Sequence, residues 1–256
     1  MEISTLGLSA SALQAQQTRI DYVGHDLANV HTPGFRALRP ELVDMPADPS
    51  TFGLTAPNRL TSADAPTRGV TVATVSQPDV PGSTVGTGAP LDVALPDGVY
   101  LTVQLPSGQT AYTRDGQLSL DAQGKLQAGD NLLAGNLRLQ PGDRNPRINQ
   151  QGQVVVDGTQ GQRVLGSLPM VKVANPEGMD PLGLTLLQTT PASGAVQSFV
   201  SNGHDGITPQ ALEGSNVDLG REFTDLIRAQ RAYQASTQMI RTWDELAGGT
   251  VTGIGQ

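Results

Sequence analysis

The sequence predicts an α+β fold in which N- and C-terminal coiled-coil-like helices, paired with each other, bracket a β-rich, barrel- or sandwich-like domain. Three observations carry this prediction. Leu6, Leu13, Ile20 and Leu27 recur every seven residues, with Val23 and Val30 three positions after the last two, which is the a/d seam of a helix. Leu219, Leu226, Tyr233, Ile240 and Ala247 repeat the same step near the other end. Between them, residues 90–205 carry short apolar and β-branched runs punctuated by Asp97-Gly98, Ser107-Gly108, Asp115-Gly116 and Gln123-Gly124, which are hairpin turn signals.

Composition agrees with a turn-rich β-domain. Charged residues make up only 16% and hydrophobic ones 37%, the balance being small polar residues with 30 Gly and 18 Pro. A formal charge of −8 with no basic run excludes nucleic acid as a partner, because phosphate binding needs clustered Lys and Arg. The absence of Cys excludes disulfides, zinc-thiolate sites and thiol catalysis. No apolar run is long enough for a transmembrane segment. Met1-Glu2 is acidic and no Lys or Arg precedes Arg19, so export without a cleaved signal peptide is expected if the protein leaves the cytoplasm.

Taken in order, the first helix is predicted over residues 3–30, with Ser9 and Gln16 making the early seam polar. Gly7 and Gly24 each weaken it by about 1 kcal/mol relative to Ala. A long helix with one thin stripe draws its stability from packing. It must end near Asn29–His31, since Thr32 precedes Pro33 and that position disfavours the α region. Pro33-Gly34 then supplies the central pair of a type II turn, with Phe35 as a bulky anchor. The turn reads either as a fixed reversal of functional use or as an ordinary corner with a core Phe.

From Arg36 to Ser62 no period is sustained, and Pro40, Pro46, Pro49 and Pro57 predict an extended or loop segment. Residues 69–76 read as a strand, and Pro78, Pro81, Gly82, Gly86 and Gly88 as a linker. At 211–217 the pattern changes again. Ser215, Asn216 and Asp218 are N-cap candidates, and Ser215-x-x-Asp218 resembles a capping box before a helix over 218–246 that Gly248-Gly249 ends. The domain plan is therefore an N-terminal helix and turn (1–35), an extended segment with one strand (36–89), a β-rich domain (90–210) and a C-terminal helix and tail (211–256).

Little in the chain points to catalysis. His25-Asp26 and His204-Asp205 are sequence neighbours, which do not face each other on a helix, and no nucleophile motif surrounds them. The Asp-containing turns lack the spacing of a calcium loop. No enzyme activity, metal or cofactor is expected. Tyr233 and Trp243 read as core or interface packing. Arg228-Ala229-Gln230-Arg231-Ala232-Tyr233 has two open readings: a solvated flank, or donors that bind carboxylates and carbonyls of neighbouring subunits.

Three blocks resemble bacterial flagellar rod and hook proteins, the axial family of the flagellum. They are Leu27-Ala28-Asn29-Val30-His31-Thr32-Pro33-Gly34-Phe35 after the first helix, LDVAL (91–95) with YTRDGQLSLDAQGKL (112–126), and LEGSNV (212–217) leading into Ala229-Gln230-Arg231-Ala232-Tyr233. His25-Asp26 stands where the family commonly has an Asn pair. The chain length is similar to rod proteins, hook proteins being commonly longer. The closing helix resembles the distal rod and hook type, while TPGFRA and LEGSNV are similar to the minor proximal rod protein. The resemblance implies a structural basal-body rod subunit whose terminal helices build the inner tube, with the β-domain outside. Leu6, Leu13, Ile20, Leu27, Asn29, Gly34, Phe35, Asn216, Leu219, Leu226, Gln230, Arg231, Tyr233 and Ile240 are then the expected assembly interface. Implied partners are copies of the chain itself, other rod and hook proteins, and the flagellar (type III) export machinery, with the basal body in the cell envelope as its place. The alternatives are the hook or another axial component, and, in a different class, a secreted carbohydrate-binding or enzymatic β-domain.

Overall fold

A computed structural model describes residues 2–44, 70–129, 131–133, 137–158, 161–183 and 185–252. Most of the proline-rich stretch expected as a loop, and the side chain of Leu6, lie outside the described residues. The chain divides into two compact units. One comprises residues 1–27, 38–76 and 218–256, and the other residues 28–37 and 77–217.

The first unit holds two helices and a strand pair. Helix α1 spans Glu2–Ala28 and ends five residues before Pro33, as its chemistry demands. Strand β1 (Arg39–Asp44) pairs antiparallel with β2 (Val70–Ser76), from Arg39 opposite Ser76 to Asp44 opposite Val70, with a bulge between Glu41 and Leu42. Residues 39–44, expected as part of an extended or loop segment, form a strand here. Their order comes from pairing with the Val/Thr-rich β2 rather than from a period of their own. Pro40 is tolerated because a two-stranded sheet has an open edge on either side.

Helix α2 spans Leu219–Thr252 and runs through Gly248-Gly249, which were expected to stop it. Glycine permits a left-handed stop without enforcing one, and no proline follows to break the helix. Glu222 and Ala229 are buried on α2, whereas Leu219, Phe223, Ile227, Tyr233, Met239 and Trp243 are exposed. On α1, Ala15 and Val23 are buried and Leu13, Ile20 and Leu27 half-buried.

The second unit is built almost wholly of short strands: β3 (Thr84–Gly86), β4 (Val93–Ala94), β5 (Val99–Gln104), β6 (Thr110–Thr113), β7 (Leu118–Leu120), β8 (Leu126–Ala128), β9 (Asn131–Leu133), β10 (Arg144–Ile148), β11 (Gln153–Gly158), β12 (Gly161–Ser167), β13 (Met170–Val173), β14 (Asp180–Gly183), β15 (Leu186–Gln188), β16 (Val196–Phe199), β17 (Thr208–Pro209) and β18 (Ala211–Glu213). The main sheet runs in the order β14-β15-β6-β5-β9-β8-β7, with β13 pairing both β5 and β16. Its ends are not joined among the described residues, so the barrel half of the expectation is corrected to an open sheet. Strands of three or four residues offer too few ladder positions for the staggered closure a barrel needs. The separate sheet β10-β11-β12 sends Ile148 and Val154 into the same core as Leu101, Val103, Leu126 and Met170.

Two further corrections prepare the site. Thr84–Gly86, expected as linker, is strand β3, and Ala211–Glu213, expected as the approach to a helix, is strand β18 paired with it. The register sets Glu213 opposite Thr84 and Leu212 opposite Val85.

Candidate functional site

The turn after α1 forms as its residues dictate. Phe35 N–H donates to the Thr32 carbonyl at 3.3 Å, and Gly34 takes φ +68°, the left-handed conformation that a type II turn requires at its third position. A Cβ on Gly34 would also stand 2.6 Å from the Arg114 carbonyl carbon and 2.7 Å from the Asp115 nitrogen. Glycine is therefore required twice, by torsion and by close approach. Asn29, itself buried, accepts from the Thr32 hydroxyl at 3.1 Å and holds the turn's entry.

This turn is clasped by residues far along the chain. Gly34 N–H donates to the Glu213 carbonyl at 2.8 Å, and Asn216 N–H to the Phe35 carbonyl at 3.4 Å. Asn216 Oδ1 accepts from Ala37 N–H at 2.8 Å while its Nδ2 donates to the Val80 carbonyl at 2.8 Å. One amide side chain thus joins three segments. Phe35 is 1% exposed, so the turn's anchor is a core residue.

Under the clasp lies a buried ion network. Arg114 Nε donates to Glu213 Oε2 at 2.6 Å, and its other nitrogens reach the carbonyls of Leu95, Pro96 and Val99 at 2.9–3.2 Å. Glu213 Oε1 accepts from Arg36 Nη2 at 3.3 Å and from Gly82 N–H at 3.2 Å. Arg36 also pairs with Asp79, whose Oδ1 accepts from the Tyr100 hydroxyl at 3.3 Å. The Arg114 guanidinium lies over the Tyr100 ring, 5.5 Å from its centroid. Burial lowers the pKa of Arg36, with the charge of Arg114 acting in the same direction, and burial raises that of Tyr100. Two guanidiniums against two carboxylates leave the network close to neutral, with Arg36 Nε buried and without a hydrogen-bond partner. Among the described residues no group of three or more acidic or His side chains is placed to hold a metal.

The N-cap candidates divide their work. Asp218 caps α2, its Oδ1 accepting from the N–H groups of Gly220 at 2.9 Å and Arg221 at 3.2 Å. Ser215 closes a local turn to Val217, and Asn216 serves the clasp.

The structure brings Gly34, Phe35 and Asn216 together, with Asn29 at the entry to the same turn. Leu13, Ile20, Leu27, Leu226 and Ile240 are half-buried along their helices, and Leu219, Gln230, Arg231 and Tyr233 are exposed on α2. Arg36, Arg114 and Glu213 were missed as a unit. Their one signal in the sequence is that Arg114 and Glu213 are charged residues inside the quoted YTRDG and LEGSNV blocks.

Both of those blocks fall in stretches that known families match. The description "Flagellar hook protein FlgE/F/G D1 domain" matches residues 97–156, and "Flagellar basal body rod FlgEFG protein C-terminal" matches residues 208–251. The flagellar basal-body rod protein FlgG of Agrobacterium fabrum is 34% identical over 94% of this chain and 96% of its own length. That of Bacillus subtilis is 31% identical over 92% and 93% respectively. The flagellar hook protein FlgE of Salmonella typhimurium is 35% identical over 58% of this chain and 38% of its own length. Arg114 of the ion network lies in the first matched stretch and Glu213 and Asn216 in the second, and the likeness to the two rod proteins runs nearly end to end: this chain belongs to the flagellar basal-body rod protein family.

Proposed function

We propose that this chain self-assembles through its terminal helices into the flagellar basal-body rod, a hollow axial drive shaft. Membership of the family makes it a structural axial subunit of the rod and hook type and not an enzyme. The observation that carries the finer reading is the face of α2 on which Leu219, Phe223 and Ile227 stand at i, i+4, i+8 spacing, 43%, 52% and 50% exposed. Three large apolar side chains in one stripe form a surface that gains free energy when covered. The cover that suits it is a terminal helix of a second copy, because a contact between unlike surfaces that does not close on itself propagates as a filament. In that assembly the helices of 1–35 and 211–256 pair as the inner tube, and the β-rich residues 90–210 face outward. Tyr233, Gln230 and Arg231 flank the stripe and supply polar contacts to neighbours.

Other rod and hook proteins are the remaining partners, and the flagellar export machinery delivers the chain to the basal body. No helix among the described residues is long and apolar enough to cross a membrane. A hook component is the second reading, favoured by the hook relative matched over 156 residues.

Phe223→Ser combined with Ile227→Ser tests the proposal. Because both side chains are exposed, each change alters the stability of the isolated chain by no more than about 0.5 kcal/mol. Incorporation into purified basal bodies and swimming motility are expected to be lost. Normal incorporation by a normally folded double variant would overturn the reading, and incorporation into the hook alone would favour the second.

A further inference from the structure

Asp26 in the last turn of α1 and Glu222 in the first turn of α2 are 1% and 0% exposed. One cation stands against both: Arg39 Nη1 of β1 lies 3.4 Å from Asp26 Oδ2 and 2.9 Å from Glu222 Oε1. Asp26 Oδ1 accepts from Leu38 N–H at 3.1 Å. Glu222 Oε2 is buried with no hydrogen-bond partner.

The surrounding charges do not make up the difference. Arg19 is 3.6 Å from Asp225, which also meets Arg228 at 3.4 Å, so Asp225 is occupied on its own account. His25 Nδ1 is 3.9 Å from Asp26 Oδ1 and 41% exposed. Tyr22, Arg19, Arg221 and Asp225 line the same cavity of about 260 Å³ as the two carboxylates. Arg39 is 30% exposed and shared, so its charge is screened by water while the carboxylates are not. The cluster is short of one positive charge and of one hydrogen-bond donor, and a single proton supplies both.

We propose that Asp26 takes up a proton beside Glu222, so that the fastening of α1, β1 and α2 is governed by pH, complete in mildly acid solution and short of its proton at neutrality. Burial pushes Asp26 up from 3.8 to about 6; the Leu38 N–H opposes this, Glu222 adds to it, and Arg39 and His25 oppose it. A folded-state value above the ordinary one means that the folded state binds the proton more tightly than the unfolded chain does. The added stability is therefore full below the ordinary carboxylate range and is lost as pH rises through about 6.

The test uses the full chain, unlabelled for thermal unfolding and carbon-13 labelled for carboxyl titration. The Asp26 carboxyl is expected to titrate at about 6, and in Glu222→Gln to move toward the ordinary carboxylate range because the repelling partner is gone. The thermal midpoint of Asp26→Asn is expected to match the wild type at pH 4.5 and to exceed it by several degrees at pH 7.5. His25→Gln keeps the wild-type pH dependence, which separates the carboxylate pair from the imidazole. Should Asp26→Asn fail to fold, the wild-type and Glu222→Gln titrations decide the matter. A titration of Asp26 in the ordinary carboxylate range, an unchanged Asp26 titration in Glu222→Gln, or an offset of Asp26→Asn that is the same at every pH would overturn the proposal.

Discussion

The buried charges of the β-rich unit and those of the helical unit follow opposite designs. In the β-rich unit, Glu213 meets two guanidiniums and a backbone N–H, and Arg114 is saturated by one carboxylate and three carbonyls. In the helical unit, two carboxylates divide one arginine and one oxygen goes without a donor. Apolar surface follows the same division. Leu101, Val103 and Val154 are 0% exposed, whereas Phe223 and Met239 on α2 are more than half exposed. The difference teaches that the β-rich unit balances its buried charges two against two, although Arg36 keeps a buried Nε without a hydrogen-bond partner, while the helical unit sets two buried carboxylates against one shared arginine.

The largest test of that contrast is Glu213→Ala, which removes the carboxylate that the buried guanidiniums of Arg114 and Arg36 share. Removal of one partner of a buried pair costs about 3–5 kcal/mol. Urea unfolding followed by far-ultraviolet circular dichroism should show it. A loss below about 1 kcal/mol would mean that the network does not stabilise the β-rich unit. Next comes Gly34→Ala, which forces a positive φ and a collision with the Arg114 backbone at 2.6 Å. About 1–3 kcal/mol of destabilisation is expected in the same assay. Smallest, and opposite in sign, is Gly24→Ala in α1, where an added Cβ meets nothing within 4 Å. It should raise helix content and stabilise by about 0.5–1 kcal/mol. If it instead destabilises by as much as Gly34→Ala, the two units do not differ as described.

Local chemistry was legible. Thr32-Pro33-Gly34-Phe35 specifies its turn within four residues, and Asp218 specifies a cap within the three that follow it. Strands β5 to β8 could be read because turn pairs such as Asp115-Gly116 delimit them. Strands β1, β3 and β18 could not, because residues such as Thr84–Gly86 are strand only by virtue of what lies opposite. The Arg36, Arg114 and Glu213 network was invisible for a related reason. Its members are 99 and 177 residues apart, and no local pattern marks which charge will find which. The seven-residue seams announced two helices correctly, yet could not say that Leu219 and Tyr233 would remain exposed in the single chain.

The clasp also has a consequence in time. Its bonds span 177 residues from Arg36 to Glu213 and 179 from Ala37 to Asn216. Closing so long a loop is entropically costly and must await the other end of the chain. A polypeptide that emerges with its N-terminus first therefore leaves Gly34 and Phe35 without their distant hydrogen-bond partners until Glu213 and Asn216 have followed. The turn forms early from its own sequence, but it is locked late. The whole intervening domain has therefore emerged before the clasp closes.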